Sequence, residues 1–295
     1  MSFGDTALGL IGVQALRAAR ALPLQSSADA GSAVLRTVGP WLREQRIGRA
    51  NLAAAFPDKP AHEIDQILEG VWDNLGRFGA EFAHIDQLWD YNPSKGPGRI
   101  MESDESERIA LRLRDDGKPA VVFSAHLANW ELAAVGAASY GLDTTVLYRR
   151  PNNRVISDYV IERRSGRMGT LVPTTLEAPT ALVEALKRGS HVAVLVDQYY
   201  RRGVPVTFFG RRTMANPLIP WLLRKVECPL HGIRVVRYPG GRFQLRMTEA
   251  LPVPRDAKGR VDMQGTMQVI TDVVESWVRE HPEQWLWLHR RWRDE

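Results

Sequence analysis

Apolar positions fall into two regimes along this chain. In "EIDQILEGVWDNLGRFGAEF" the residues Ile64, Ile67, Leu68, Val71, Leu75, Phe78 and Phe82 recur at spacings of three and four. That period places them on one face of an amphipathic helix. Pro57 and Pro60 stand just ahead of it, where proline is tolerated. The first ninety residues read as helical. "YNPSKGPG" (Tyr91–Gly98) is rich in helix and strand breakers and reads as a linker.

Beyond the linker, short apolar runs alternate with longer helical stretches. "AVVFSA" (Ala120–Ala125), "TTVLY" (Thr144–Tyr148), "HVAVLV" (His191–Val196) and "GIRVVR" (Gly232–Arg237) are rich in β-branched residues and predict strands. "NWELAAVGAASYG", "SDYVIERRSGRMG" and "APTALVEALKRG" predict helices that end near glycine. Strands alternating with helices imply an α/β fold whose central sheet is mixed and partly parallel, flanked by helices. "FQLRMTEAL" (Phe243–Leu251) predicts a further strand, antiparallel to its predecessor through the turn at Pro239–Gly241. A last helix carries Met267, Ile270, Val274 and Trp277 on one face. The expected division is a membrane-associating helical region over residues 1–90 and an α/β core over 99–295 that forms one continuous domain.

Reactive groups in open α/β sheets gather beyond the carboxyl ends of the strands. His126 in "SAHLANWEL" follows one predicted strand, and Asp197 follows another. Glu131 lies five residues after His126, so a helix beginning there could turn its carboxylate toward the imidazole. A carboxylate on one ring nitrogen fixes the tautomer and raises the basicity of the other. On spacing alone the pair does not single out a site. No G-x-S-x-G elbow, phosphate-binding G-x-x-x-x-G-K-[ST] loop or H-E-x-x-H zinc helix is present. The six other histidines show no ligand spacing, and no metal site is expected.

Composition narrows the setting. The 295 residues are 44% hydrophobic and 25% charged, which fits a folded globular chain. The one cysteine, Cys228, permits no intrachain disulfide, which suits a reducing compartment. The net charge of +5 is unevenly spread. Residues 147–212 hold twelve Lys/Arg against five Asp/Glu. A basic excess confined there suits an anionic partner. Nine tryptophans fit either core positions or a lipid interface. "TALGLIGVQAL" (Thr6–Leu16), followed by Arg17 and Arg20, is too short for a bilayer core, which needs about 20 apolar residues. It fits a core helix or an interfacial one; the interfacial reading is carried forward.

Several blocks then converge. "SAHLANWE" resembles the H-x-x-x-x-[DE] motif of the glycerolipid acyltransferase superfamily. "RANLAAAFPD" (Arg49–Asp58), "LYRRPNN" (Leu147–Asn153), "RRSGRMG" (Arg163–Gly169), "VDQYYRRGVPVTFFG" (Val196–Gly210) and "PEQWLWLHRRWR" (Pro282–Arg293) follow in the order of the bacterial late acyltransferases of lipid A biosynthesis, the lauroyl/myristoyl transferases. The resemblance runs from about Arg49 to the end of the chain. It implies a glycerolipid-acyltransferase-like fold and transfer of an acyl chain from acyl carrier protein to a hydroxyl of a lipid A precursor of the Kdo-lipid IVA type. His126 would be the general base and Glu131 its orienting acid. Arg149, Arg150, Asn152, Arg164 and Arg167 would hold anionic groups, while Asp197 and Gln198 shape the acceptor side. No cofactor is implied beyond the acyl donor, and no nucleic acid. Anionic lipids of the inner membrane's cytoplasmic face would receive the chain as a peripheral protein. Two alternatives stand beside this one. A sister enzyme would acylate a lysophospholipid or a phosphatidylinositol mannoside, from acyl-CoA or acyl carrier protein. A basic protein that binds nucleic acid or anionic lipid without catalysis would have no need of His126.

Overall fold

The structure, a computed structural model, describes residues 3–92 and 98–293. Residues 93–97 of the expected linker lie outside the described residues. Four helices come first: α1 (Phe3–Ala21), α2 (Leu24–Val38), α3 (Arg43–Ala55) and α4 (Ala61–Ala83). There follow β1 (Ile100–Glu102), α5 (Asp104–Asp115), β2 (Val121–Ser124), α6 (Glu131–Ser139), β3 (Thr144–Tyr148), α7 (Arg154–Arg164), β4 (Thr170–Pro173) and α8 (Ala178–Lys187). The chain continues through β5 (His191–Leu195), β6 (Val204–Phe208), β7 (Arg211–Ala215), α9 (Leu218–Lys225), β8 (Leu230–Tyr238), β9 (Arg242–Met247) and α10 (Met263–Glu280).

Seven strands form one mixed sheet in the order β1-β9-β8-β2-β5-β3-β4. Five of them, β8 through β4 in that order, run parallel; β9 is antiparallel to β8, and β1 is parallel to β9. The β8–β9 pairing closes at Tyr238↔Arg242 around the glycine turn, as the sequence predicts. β6 and β7 form a separate hairpin that the apolar pattern does not announce, because charged residues and Pro205 interrupt it. The helix expected from "SDYVIERRSGRMG", the second of the three in the α/β part, starts earlier than its apolar pattern suggests. Asn153 caps α7, its Oδ1 accepting from the N–H groups of Val155 (3.0 Å) and Ile156 (3.3 Å). The helix stops at Arg164, well short of the expected Gly169.

The two faces of the sheet differ. On one, Phe123 of β2 stacks on Trp277 of α10 at 5.6 Å. Gly232 of β8 permits this, because a Cβ there would lie 2.8 Å from the Phe123 ring and 2.9 Å from Trp277. The N-terminal helices share this core: Leu52 of α3 and Leu68, Val71 and Trp72 of α4 are buried with Val121, Phe123, Trp285 and Trp287. Burying each such side chain contributes about 1.5–3 kcal/mol. Helices α2 and α4 meet backbone to backbone where Gly31 faces Gly76. The opposite face of the sheet lies under α6, whose sequence "ELAAVGAAS" is mostly Ala and Gly. Small side chains do not fill that layer. Val122 and Ala193 are therefore partly exposed in central strands, although Val121, Phe123 and Val192 beside them are fully buried.

Candidate active site

The gap between α6 and the sheet is a cavity of about 1090 Å³. Its walls are mostly apolar, and His126, Glu131 and Arg164 line it near the carboxyl ends of β2 and β5. These strands are parallel neighbours with Ser124 opposite Leu195. His126 and Asp197 each lie two residues beyond that pair, so the register brings them side by side. The Nδ1–H of His126 donates to Asp197 Oδ1 at 2.7 Å, and the backbone N–H of His126 donates to Asp197 Oδ2 at 2.8 Å. Trp285 Nε1–H donates to the same Oδ2 at 2.7 Å. A carboxylate only accepts, so the proton sits on Nδ1 and Nε2 carries the free lone pair. The His126 ring lines the cavity.

Electrostatics follow from this packing. Burial works to lower the pKa of His126, but the charge and hydrogen bond of Asp197 outweigh it, with help from the charge of Glu131; the pKa stands above the usual histidine value. Burial likewise works to raise Asp197, and the facing imidazole together with the His126 backbone N–H holds its carboxyl well below the usual range.

The loop bearing His126 is clamped by the C-terminal segment. Leu127 bridges Trp285, the Leu286 N–H donates to His126 O at 3.1 Å, and the Ala128 N–H donates to Gln284 O at 2.9 Å. Ala128 adopts φ +48°, an uncommon left-handed conformation for a residue with a Cβ. Next to it Asn129 donates to Glu81 Oε2 at 2.9 Å. Glu81 is buried and also pairs with Arg237 of β8, whose Nη2 lies 3.0 Å from Oε2. Arg237 donates through Nε to Asn74 Oδ1 at 2.9 Å, and Asn74 Nδ2 reaches the Gln284 carbonyl at 3.2 Å. One buried polar network thus fixes the turn from two sides.

Glu131 opens α6 but does not hydrogen-bond to His126, in contrast to the arrangement expected from their spacing. Its Oε2 accepts from Arg164 Nε at 2.8 Å, its Oε1 pairs with Arg164 Nη2, and Trp130 Nε1–H donates to Oε1 at 3.1 Å. Arg164 terminates α7 and lies between the rings of Phe82 (5.7 Å) and Tyr148 (5.9 Å). The first turn of α6 therefore aims Glu131 at α7, and the orienting carboxylate comes from β5 instead. Trp130 walls the site, stacked on Phe78 at 3.8 Å and edge-on to His126 at 5.0 Å.

The remaining expected residues are spread more widely. Arg149 and Gln198 line the cavity, and both are exposed. Arg149 Nη2 donates to Asn152 Oδ1 at 3.3 Å. Arg150 is exposed and does not line the cavity. Arg167 folds back on its own helix end, donating to Arg163 O and Ser165 O at 3.2 Å each. Three residues of the C-terminal block, Trp285, His289 and Arg291, lie near Asp197, a placement the sequence reading does not assign them. His289 is partly buried, and its pKa is lowered chiefly by desolvation, against the charge of Asp197. Burial brings Arg291 down to about 10, again against Asp197. Among the described residues, no group of three or more His, Cys, Asp or Glu side chains is arranged to hold a metal ion.

An α/β fold with a shielded His–carboxylate pair at the strand ends, opening on an apolar cavity, suits transfer chemistry on an apolar substrate. Comparison with known families agrees: residues 3–294 match the model of bacterial lipid A biosynthesis acyltransferases, and the chain belongs to that family. It is a transferase. Among its relatives, the lipid A biosynthesis palmitoleoyltransferase of Escherichia coli K12 is 24% identical over 266 residues, covering 86% of this chain and 80% of that protein. The lipid A biosynthesis lauroyltransferase of the same organism is 24% identical over 258 residues, covering 85% and 79%. A lipid A biosynthesis acyltransferase of Shigella flexneri is similar to the same degree as the first.

Proposed function

We propose that this enzyme transfers a fatty acyl chain from acyl carrier protein to a hydroxyl of a lipid A precursor, with His126 as general base. The observation that carries this reading is the His126–Asp197 pair, with the ring's second nitrogen on an apolar cavity. Asp197 holds the proton on Nδ1, so Nε2 takes the proton of the acceptor hydroxyl as its oxygen attacks the thioester carbonyl. The tetrahedral adduct collapses, the C–S bond breaks, and the thiolate leaves with the proton held on Nε2. No enzyme nucleophile is required. Asp197 stabilises the imidazolium formed in between, and Glu131 adds a second negative charge nearby. Arg164, fixed by Glu131, presents a planar cation at the cavity wall for an anionic group of the acceptor. The acyl chain occupies the apolar cavity.

The same reading includes attachment to the cytoplasmic face of the inner membrane. No helix among the described residues is long and apolar enough to cross a membrane. On α1 and just past it, Leu8, Ile11, Ala15, Ala18 and Leu22 are exposed at alternating spacings of three and four, with Arg17 beside them. That stripe suits a helix lying in the headgroup region. Trp41 is 88% exposed, next to exposed Leu42 and Arg43.

The test is direct. Purified protein is incubated with lauroyl- and palmitoleoyl-carrier protein and a tetraacylated lipid A precursor, and the lipid is weighed by mass spectrometry. A gain of one acyl group, absent in His126→Ala, is expected. Acylation of lysophospholipid but not of the precursor would overturn the acceptor. Undiminished turnover in His126→Ala would overturn the mechanism.

A further inference from the structure

The cavity does not stop at His126. It follows one face of the sheet along the strands, lined by Ser124 and Val122 of β2 and by Leu195 and Ala193 of β5, and reaches His191 at the amino end of β5. These are alternate residues, as one face of a strand requires. Its far end is built differently from its walls. His191 is only 4% exposed, and its Nε2–H donates to the Leu113 carbonyl of α5 at 3.0 Å, which pins the ring. Its Nδ1 is buried with no hydrogen-bond partner. Ser106 and Ala110 of the same helix line this end too. The end wall is thus a fixed imidazole backed by a helix, whereas the side walls are apolar.

We propose that His191 is the end stop of this cavity and sets the longest acyl chain the enzyme transfers, an inference that rests on the acyltransferase reading above. The four residue steps from Leu195 to His191 span about 13 Å. An all-trans chain advances roughly 1.25 Å per methylene, so about ten methylenes fill that length. With the carbons between Leu195 and the thioester beside His126, the limit is on the order of twelve carbons. A longer chain would have to push the ring from the Leu113 carbonyl and enter α5. Ala193, midway on the same strand, keeps the passage open, because a larger side chain there would project into the gap beneath α6.

The experiment is a competition among acyl-carrier-protein donors of eight to eighteen carbons, with the products resolved by mass. Wild type should show a steep fall beyond its preferred length. His191→Ala should move that fall by about two to four carbons toward longer chains. His191→Phe, which keeps a ring of similar size without Nδ1, should leave it in place or shorten it. Ala193→Leu should shift it to shorter chains. A length profile unchanged in both His191→Ala and Ala193→Leu would overturn the assignment. If His191→Ala does not fold, as judged by circular dichroism, Ala193→Leu decides alone. Failure of the wild type to transfer any chain would overturn the parent reading instead.

Discussion

Asp197 receives both N–H groups of His126, the ring at 2.7 Å on one carboxylate oxygen and the backbone at 2.8 Å on the other. A side chain held through ring and backbone at once has little freedom to swing or change tautomer. Glu131, five residues from His126, is bound to Arg164 instead. In the proposed mechanism the two carboxylates have separable roles. Asp197→Asn removes the acceptor that fixes Nδ1–H, and kcat should fall by about 10²- to 10⁴-fold. Because Asp197 is what raises the His126 pKa, the acid limb of kcat/KM should also move to lower pH in the residual activity. Glu131→Gln should shift that limb less, and should weaken acceptor binding through the freed Arg164. Measured pH–rate profiles decide this. A larger kcat loss in Glu131→Gln than in Asp197→Asn would show that the hydrogen-bonded carboxylate is not the orienting one.

Trp285 is the third donor on Asp197, reaching across 88 residues of chain. Trp285→Phe keeps most of the buried volume but leaves Oδ2 with one donor fewer. A hydrogen bond to a charged group contributes about 1.5–3 kcal/mol. Turnover should drop roughly tenfold to a hundredfold with KM nearly unchanged. Steady-state kinetics beside a thermal melt will separate this from loss of folding. A proportional rise in KM would place Trp285 in substrate binding instead.

What the sequence reveals of this site depends on how far apart its parts lie. Strands rich in β-branched residues and the glycine turn before β9 are local patterns, and they are legible. His126 and Asp197 are each visible as polar residues just past a strand. Their partnership is not, because it depends on β5 lying next to β2 with β3 beyond it, which no local spacing encodes. The His126–Glu131 spacing points the wrong way, because α6 begins at Glu131 itself and its first turn faces Arg164. The C-terminal tryptophans stand in a block that carries the family resemblance, but nothing in that block places them at the site; only the folded chain brings Trp285 to Asp197. Short strands such as β1 and β4, three and four residues long, offer too few positions for a period to register.

The network behind the His126 turn centres on the buried pair Glu81–Arg237, with side-chain exposures of 3% and 10%. Arg237→Met should cost about 3–5 kcal/mol of stability, since it leaves the Glu81 charge unpaired. Replacing both with apolar residues of similar volume should recover much of it. Urea denaturation of the single and double variants tests the coupling. Equal, additive losses would mean that the two charges do not depend on each other.

The exposed stripe on α1 makes its own prediction. Leu8→Glu with Ile11→Glu should reduce co-flotation with anionic vesicles, while leaving turnover on detergent-dispersed acceptor near the wild-type level. These residues face away from the protein, so folding should be unaffected. Retained flotation in the double variant would place the attachment elsewhere, with the patch around Trp41 as the next segment to alter.

Histidines shielded from solvent contribute to the response of stability to pH. Burial lowers the pKa of His191, His231 and His289 in the folded chain, while His126 is raised. Below a pH of about 6.5 the unfolded chain takes up protons at the first three positions that the folded chain refuses. Stability at those positions therefore falls as the solution is acidified. His126 acts in the opposite sense: its contribution is fully present below the ordinary histidine pKa and is lost as pH rises through its folded value. If the three lowered groups outweigh His126, stability falls between pH 7 and pH 5, above the range in which most carboxylates titrate. The urea midpoint should drop over that interval, and His231→Gln, away from the cavity, should make the drop shallower. A midpoint that holds steady or rises on acidification would mean that the opposite contribution of His126 outweighs these three.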